Sequence, residues 1–131
     1  MKSSIAVVFG LIICGIIACK TSPFAEGERI YQAYCSNCHM DDGTGLGTLI
    51  PPLAGADYLL ERRGNLACII LQGQKGKVVV NGIEYDGEMP GADLNAVQLH
   101  NLINYISNTW GNTAEYVTIE DIEEWTAECV E

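Results

Sequence analysis

Cys35-Ser36-Asn37-Cys38-His39 sets two thiols with two residues between them and an imidazole directly after the second. Thiols at this spacing suit three chemistries: dithiol–disulfide exchange, metal binding, or addition to the two vinyl groups of a porphyrin. Exchange has no use for the His and usually opens a helix after a strand, whereas here the motif closes a helical pattern. A zinc site wants two further ligands at similar spacing, but Cys68 and Cys129 stand far apart and alone, and His100 is the only other His. Addition to a porphyrin uses every residue of the motif. Two intervening residues span the vinyl groups, two thioether bonds form, and His39 falls under the iron as an axial ligand. The sequence therefore predicts one covalent haem c on Cys35 and Cys38.

A low-spin iron needs a sixth ligand, and a neutral thioether favours the reduced metal. Of the three methionines, Met1 lies in an N-terminal leader, and Met40 adjoins His39 and cannot reach the opposite haem face. Met89 remains, in the loop Tyr85-Asp86-Gly87-Glu88-Met89-Pro90-Gly91. Pro90 stiffens that loop and its glycines allow close approach. A Met in a polar Gly/Pro-rich loop is poorly explained by core packing, so Met89 is the expected iron ligand. His100 falls in the middle of a helical pattern and reads as a surface residue.

These groups need elements to position them. Ser22-Pro23 reads as a helix start, and 26–35 carries a helical pattern with Gly27, Ile30 and Tyr31 adjoining. Residues 41–47 form a Gly-rich loop, and Pro51-Pro52 an extended turn. Short helices are expected over 57–63 and 66–71. Residues 77–85, with Val78-Val79-Val80 before Asn81-Gly82, allow a small β-hairpin, and 86–91 reads as irregular. The longest helix is expected over 94–110, with Leu94, Val97, Leu99, Leu102, Ile103 and Ile106 as its apolar positions. Thr118-Ile119-Glu120-Asp121 opens a last helix to about residue 128. The fold class is all-α, about four or five helices around one haem.

The N-terminus speaks to location. Lys2 precedes a mostly apolar run from Ile5 to Ala18, ending at Cys19. That run is shorter than the ~20 residues a membrane-spanning helix needs. Ile16-Ile17-Ala18-Cys19 resembles a bacterial lipobox, in which the Cys thiol is acylated and the chain is cut before it; Ile13 before Cys14 is too bulky for that cut. Residues 1–18 are then a removed lipoprotein signal peptide, 19–24 a lipidated tether, 25–112 the haem domain and 113–131 an acidic extension. An uncleaved anchor or an ordinary signal peptide is the alternative. The expected place is outside a bacterial cell membrane, held to it by the lipid.

The whole chain has 131 residues and a net charge of −10, which argues against nucleic acid as a partner. A basic patch on a redox partner is compatible with that charge, and so is plain solubility.

Taken together, these residues resemble class I cytochrome c. The match consists of Cys35 to His39, Met89-Pro90, Gly27 with Tyr31 in the first helix, and Leu102 with Tyr105 in the long one. The resemblance implies a first helix crossing the long helix at Gly27. It also implies a Pro whose carbonyl accepts the N–H of the axial His; Pro51 is the matching position and Pro52 the runner-up. Trp110-Gly111-Asn112 and 117–122 are similar to bacterial monohaem cytochrome domains that accompany or are fused to nitrite reductases, alcohol dehydrogenases and terminal oxidases; any such enzyme is expected as a separate protein. The Lys residues that the family presents around the haem edge are scarce here.

Cys68 and Cys129 have no general role in the family. In an oxidising compartment they either form a disulfide pinning the tail or stay unpaired. The tail from Glu115 to Glu131 carries seven acids and no base; it reads as a solvated helix face, with Ile119, Ile122 and Trp125 inward, or as a docking surface.

The function expected is one-electron transfer to and from redox partner proteins, with no catalytic residue of its own. The alternatives are a haem-binding subunit of a periplasmic oxidoreductase complex, or a sensor or peroxidase if the sixth iron position is open.

Overall fold

The computed structural model describes residues 22–129. Cys19 and the apolar run before it lie outside them. Six α-helices appear in chain order: α1 Ala25–Tyr34, α2 Ser36–His39, α3 Asp57–Glu61, α4 Leu66–Gln72, α5 Ala96–Ser107 and α6 Ile119–Ala127. A 3-10 turn, Arg63–Asn65, precedes α4, and two antiparallel strands, β1 Gly73–Val80 and β2 Ile83–Pro90, follow it. No helix among the described residues is long and apolar enough to cross a membrane.

The frame of the fold is the crossing of α1 over α5. Gly27 makes it close: a Cβ there would run into the Asn101 carbonyl oxygen and the Tyr105 Cβ. A glycine inside a helix normally costs about 1 kcal/mol relative to alanine, and here the absent side chain lets the two backbones meet. One turn along α1, Tyr31 is fully buried, its ring centroid 5.5 Å from that of Tyr105 and 4.9 Å from that of Trp110. Its hydroxyl donates to the Met40 carbonyl, O···O 2.6 Å, so the phenol is both packed and satisfied. Leu99, Leu102 and Ile103 of α5 are fully buried beside them.

Asn112 closes the end of α5. Its amide donates to the Leu53 and Ile106 carbonyls and accepts the Gly55 N–H at 2.8 Å. One buried side chain thus ties the loop after residue 50 to the long helix. Asn104 does the same for the tail, pairing both backbone groups of Val117. Thr118 and Asp121 form a capping box, from which α6 runs with Ile122 fully buried. Cys68 of α4 and Cys129 are joined by a disulfide, Cα–Cα 5.3 Å.

Several expectations need correction. Among the described residues the fold is mostly helical rather than all-α, and the helices number six rather than four or five. The hairpin runs from residue 73 to 90 rather than 77 to 85, so 86–90 is strand and not irregular. Its turn is Asn81-Gly82 at φ 52° and 76°, the left-handed pair a tight hairpin requires. Asn81 and Asp57 exchange backbone-to-side-chain hydrogen bonds, which pin this turn to α3. At the N-terminus, Ser22 does not cap α1. Its hydroxyl accepts the Phe24 N–H and the helix starts at Ala25. Val97 and Ile119 are exposed rather than core.

Candidate haem site

The haem motif hangs from the end of α1. The Cys35 N–H donates to the Tyr31 carbonyl, and the Cys38 and His39 N–H groups both donate to the Cys35 carbonyl. This single turn turns His39 inward, 9% exposed, and leaves Cys35 half-buried and Cys38 exposed. Neither Cys35 nor Cys38 is in a disulfide. Burial, with Cys38 close by, pushes the Cys35 thiol up to about 11.

The following loop returns to fix the imidazole. The Gly45 N–H donates to the His39 carbonyl, and Gly45 sits at φ 70° packed on the backbone of Ile50 and Pro51. A side chain there would collide with that backbone, so the loop closes only around glycine. The return brings the Pro51 carbonyl to 3.0 Å from His39 Nδ1. A carbonyl can only accept, so Nδ1 carries the proton and Nε2 keeps its lone pair. Burial holds the imidazole below its ordinary value, and the Pro51 carbonyl acts weakly the other way. Burial, the larger effect, favours the neutral ring, in which the proton on Nδ1 leaves Nε2 free.

A single cleft gathers Cys35, Cys38, His39, Pro51 and Met89. Met40 does not line it: at φ 64° it turns the chain away from His39. His100 does not line the cleft and stacks edge-on against Tyr116, centroids 5.2 Å apart. Pro52 also lines the cleft, but the hydrogen bond to the imidazole comes from Pro51.

The sequence reading missed the wall that carries Met89. Gln74, Gly76, Val78 and Val80 of β1 face the cleft, and across from them stand Met89, Gly87 and Tyr85 of β2. The period-two alternation was the available signal, hidden because the strand begins in glycines and lysines that carry no hydrophobic pattern. The remaining lining is largely apolar, with Leu59, Leu66, Ile70, Leu102 and Ile106; Glu88 also lines the cleft, and no Lys or Arg does.

This set of groups fits a haem: two free thiols, a fixed imidazole with an open nitrogen, a thioether, and an apolar slot. Residues 24–110 match the cytochrome c family. The chain is 33% identical over 109 residues to a cytochrome c-552 of Thermus thermophilus, covering 79% of this chain and 80% of that protein. It is 31% identical over 112 residues to an alcohol dehydrogenase (quinone) cytochrome c subunit of Gluconacetobacter polyoxogenes, covering 82% of this chain and 24% of that one. A second such subunit, from Gluconobacter oxydans, is 31% identical over 102 residues, 21% of its length. The chain therefore spans about a quarter or less of these dehydrogenase subunits but most of the Thermus protein.

The chain belongs to the cytochrome c family. It is a monohaem c-type cytochrome: its cofactor is a covalently bound haem c and its function is haem-based electron transfer.

Proposed function

We propose that the protein is a one-electron carrier whose iron is held between His39 and Met89, with the haem bonded to Cys35 and Cys38, and that it works outside the cytoplasmic membrane on a lipid attached to Cys19. The observation that supports this reading is the shared cleft. It holds two free thiols, a His whose Nδ1 is committed to Pro51, and a Met, among largely apolar side chains with Gln74 and Glu88. The tether rests on the lipobox-like Ile16-Ile17-Ala18-Cys19 alone.

When bound, the haem supplies exchange of one electron between Fe(II) and Fe(III). The chain's residues set the conditions. Pro51 orients the His39 ring and raises its basicity as a ligand. Met89 offers a soft neutral sulfur, which favours the lower charge. The apolar walls disfavour the extra positive charge of the oxidised centre, because burying a charge without a partner is costly. With His39 and Met89 both holding the iron, small ligands would find no open site, and the chain would need no catalytic residue.

The test is spectroscopic. The oxidised protein should show the weak near-infrared band of a sulfur–iron bond, and Met89→Ala should abolish it. A spectrum unchanged by Met89→Ala sinks the ligand assignment. Globomycin treatment of the expressing cells, which blocks lipoprotein processing, should leave a longer uncut chain; insensitivity ends the tether.

The alignment with the dehydrogenase cytochrome subunits favours a second reading, a haem subunit serving a separate oxidoreductase. Co-purification of a stoichiometric dehydrogenase from the native membrane supports it, and a lone haem protein removes it.

A further inference from the structure

The side of α5 turned away from the haem carries an apolar patch in the open. Leu102 and Ile106 line the cleft, and at about 3.6 residues per turn Val97 and His100 project from the other side of the helix. Val97 is 54% exposed. The ring of Tyr116 meets His100 edge-on, centroids 5.2 Å apart, and is itself 62% exposed. Ile119, at the start of α6, is exposed three residues further on. None of these four residues lines the cleft.

The fold does not need them there. The tail is joined to α5 beneath the patch, by the hydrogen bonds of Asn104 with Val117 and by the buried Ile122. Apolar residues scattered singly over a surface need no explanation, but a group of them around an oriented tyrosine has the composition of an interface centre.

Charge says what kind of partner fits. Glu115 and Glu120 flank the patch in sequence, and Glu123, Glu124 and Glu128 continue the exposed side of α6. Among the described residues none of these five carboxylates is in an ion pair; Arg29, Lys75 and Lys77 are paired with Glu26, Glu88 and Glu84. Arg62 lies over the Tyr58 ring, and Arg63 donates to the Glu115 carbonyl. An acidic rim repels an anionic lipid surface, and it repels a second copy of a chain whose net charge is −10. It suits a protein that presents lysines or arginines around an apolar hollow.

We propose that Val97, His100, Tyr116 and Ile119, within their acidic rim, form a docking surface for a basic redox protein, on the side of α5 opposite the haem cleft. Docking there leaves the mouth of the cleft free, so the chain stays attached to one partner while its haem exchanges electrons on the other side. The proposal goes beyond the carrier reading and does not depend on which residue is the sixth iron ligand.

The test is cross-linking of the complete holoprotein in its native membranes with a water-soluble carbodiimide, which joins a carboxylate to an amine only where the two touch. Glu115, Glu120 or Glu123 should be found joined to lysines of one redox protein, with a yield that falls as salt is raised to about 1 M, where the screening length is about 3 Å. Tyr116→Ser should cut that yield roughly tenfold, as removal of an interface anchor does. Glu120→Gln with Glu123→Gln leaves Tyr116 in place and should weaken the salt dependence of the remaining Glu115 cross-link. Both variants should keep the visible and near-infrared spectra of the native protein, so loss of docking and loss of the Met89 ligand read out apart. Cross-links confined to carboxylates outside the patch, joined to a second copy of this chain or to an amine-bearing lipid, or equally abundant in Tyr116→Ser, overturn the proposal. So does their absence at every salt concentration.

Discussion

His39 and Pro51 are joined through a backbone atom: the imidazole Nδ1–H donates to the Pro51 carbonyl across 3.0 Å, twelve residues along the chain. The proline ring takes no part in the bond; it restricts φ and so stiffens the loop that delivers the carbonyl. Pro51→Ala should therefore keep the visible spectrum of the holoprotein and lower stability by only about 0.4–1 kcal/mol, through the freer unfolded chain. Denaturant melts with the spectrum recorded in parallel check this. A changed axial spectrum with unchanged stability would show that the ring itself positions the histidine.

Gly27 is the opposite case, where side-chain volume decides. A methyl at that position meets the Asn101 carbonyl and the Tyr105 Cβ, both on α5. Neither neighbour is the free end of a flexible chain. Gly27→Ala should gain a little helix propensity and lose more to overpacking, a net destabilisation of roughly 1–3 kcal/mol. Urea unfolding of both proteins gives the difference, and an unchanged or raised midpoint contradicts the close crossing.

The Cys68–Cys129 bond closes a loop across a sequence separation of 61. Loop entropy at that length corresponds to about 4 kcal/mol on the chain-entropy account. Cys68→Ser with Cys129→Ser should lose up to that amount and release α6 first, since its contacts are with α4 and α5. Hydrogen exchange should show α6 amides losing protection while those of α1 and α5 keep theirs. Equal loss throughout would mean the tail and core unfold as one unit.

Asp121 gives a pH dependence with a definite sign. Hydrogen bonds from the Thr118 backbone N–H and hydroxyl hold its carboxyl below the usual aspartate value. Its contribution is therefore present above the unfolded value near 3.9 and is lost as pH falls through the lower folded value. Asp121→Asn keeps an acceptor but cannot titrate. The variant's stability should fall less steeply below pH 4 than that of the native chain, measured by thermal melts across that range.

How much of this was legible beforehand depends on whether a feature is local. The haem motif, the Asn81-Gly82 turn and the Thr118 capping box are local patterns, and each lies where the pattern put it. The length of the hairpin was not legible. Its first half, Gly73-Gln74-Lys75-Gly76-Lys77, has no apolar alternation, because the face it turns inward covers a cofactor slot rather than packed side chains. For the same reason Met89 read as a loop residue, when a ladder of strand pairs carries it. Ser22 looked like a cap, but its hydroxyl satisfied the Phe24 amide before the helix had begun. Trp110-Gly111-Asn112 was visible as a resemblance only; that Asn112 ties residues 53 and 55 to α5 depends on contacts far apart in the chain.

The disulfide also carries a lesson about the order of maturation. Cys35, Cys38, Cys68 and Cys129 allow six single disulfides, and only that of Cys68 with Cys129 leaves both haem-bearing thiols reduced. Cys129 is synthesised last of the four. Until it emerges, any oxidant that meets the growing chain finds Cys35, Cys38 and Cys68 with only wrong partners. Correct assembly therefore requires that the haem thiols be captured or kept reduced until the tail cysteine is available to Cys68.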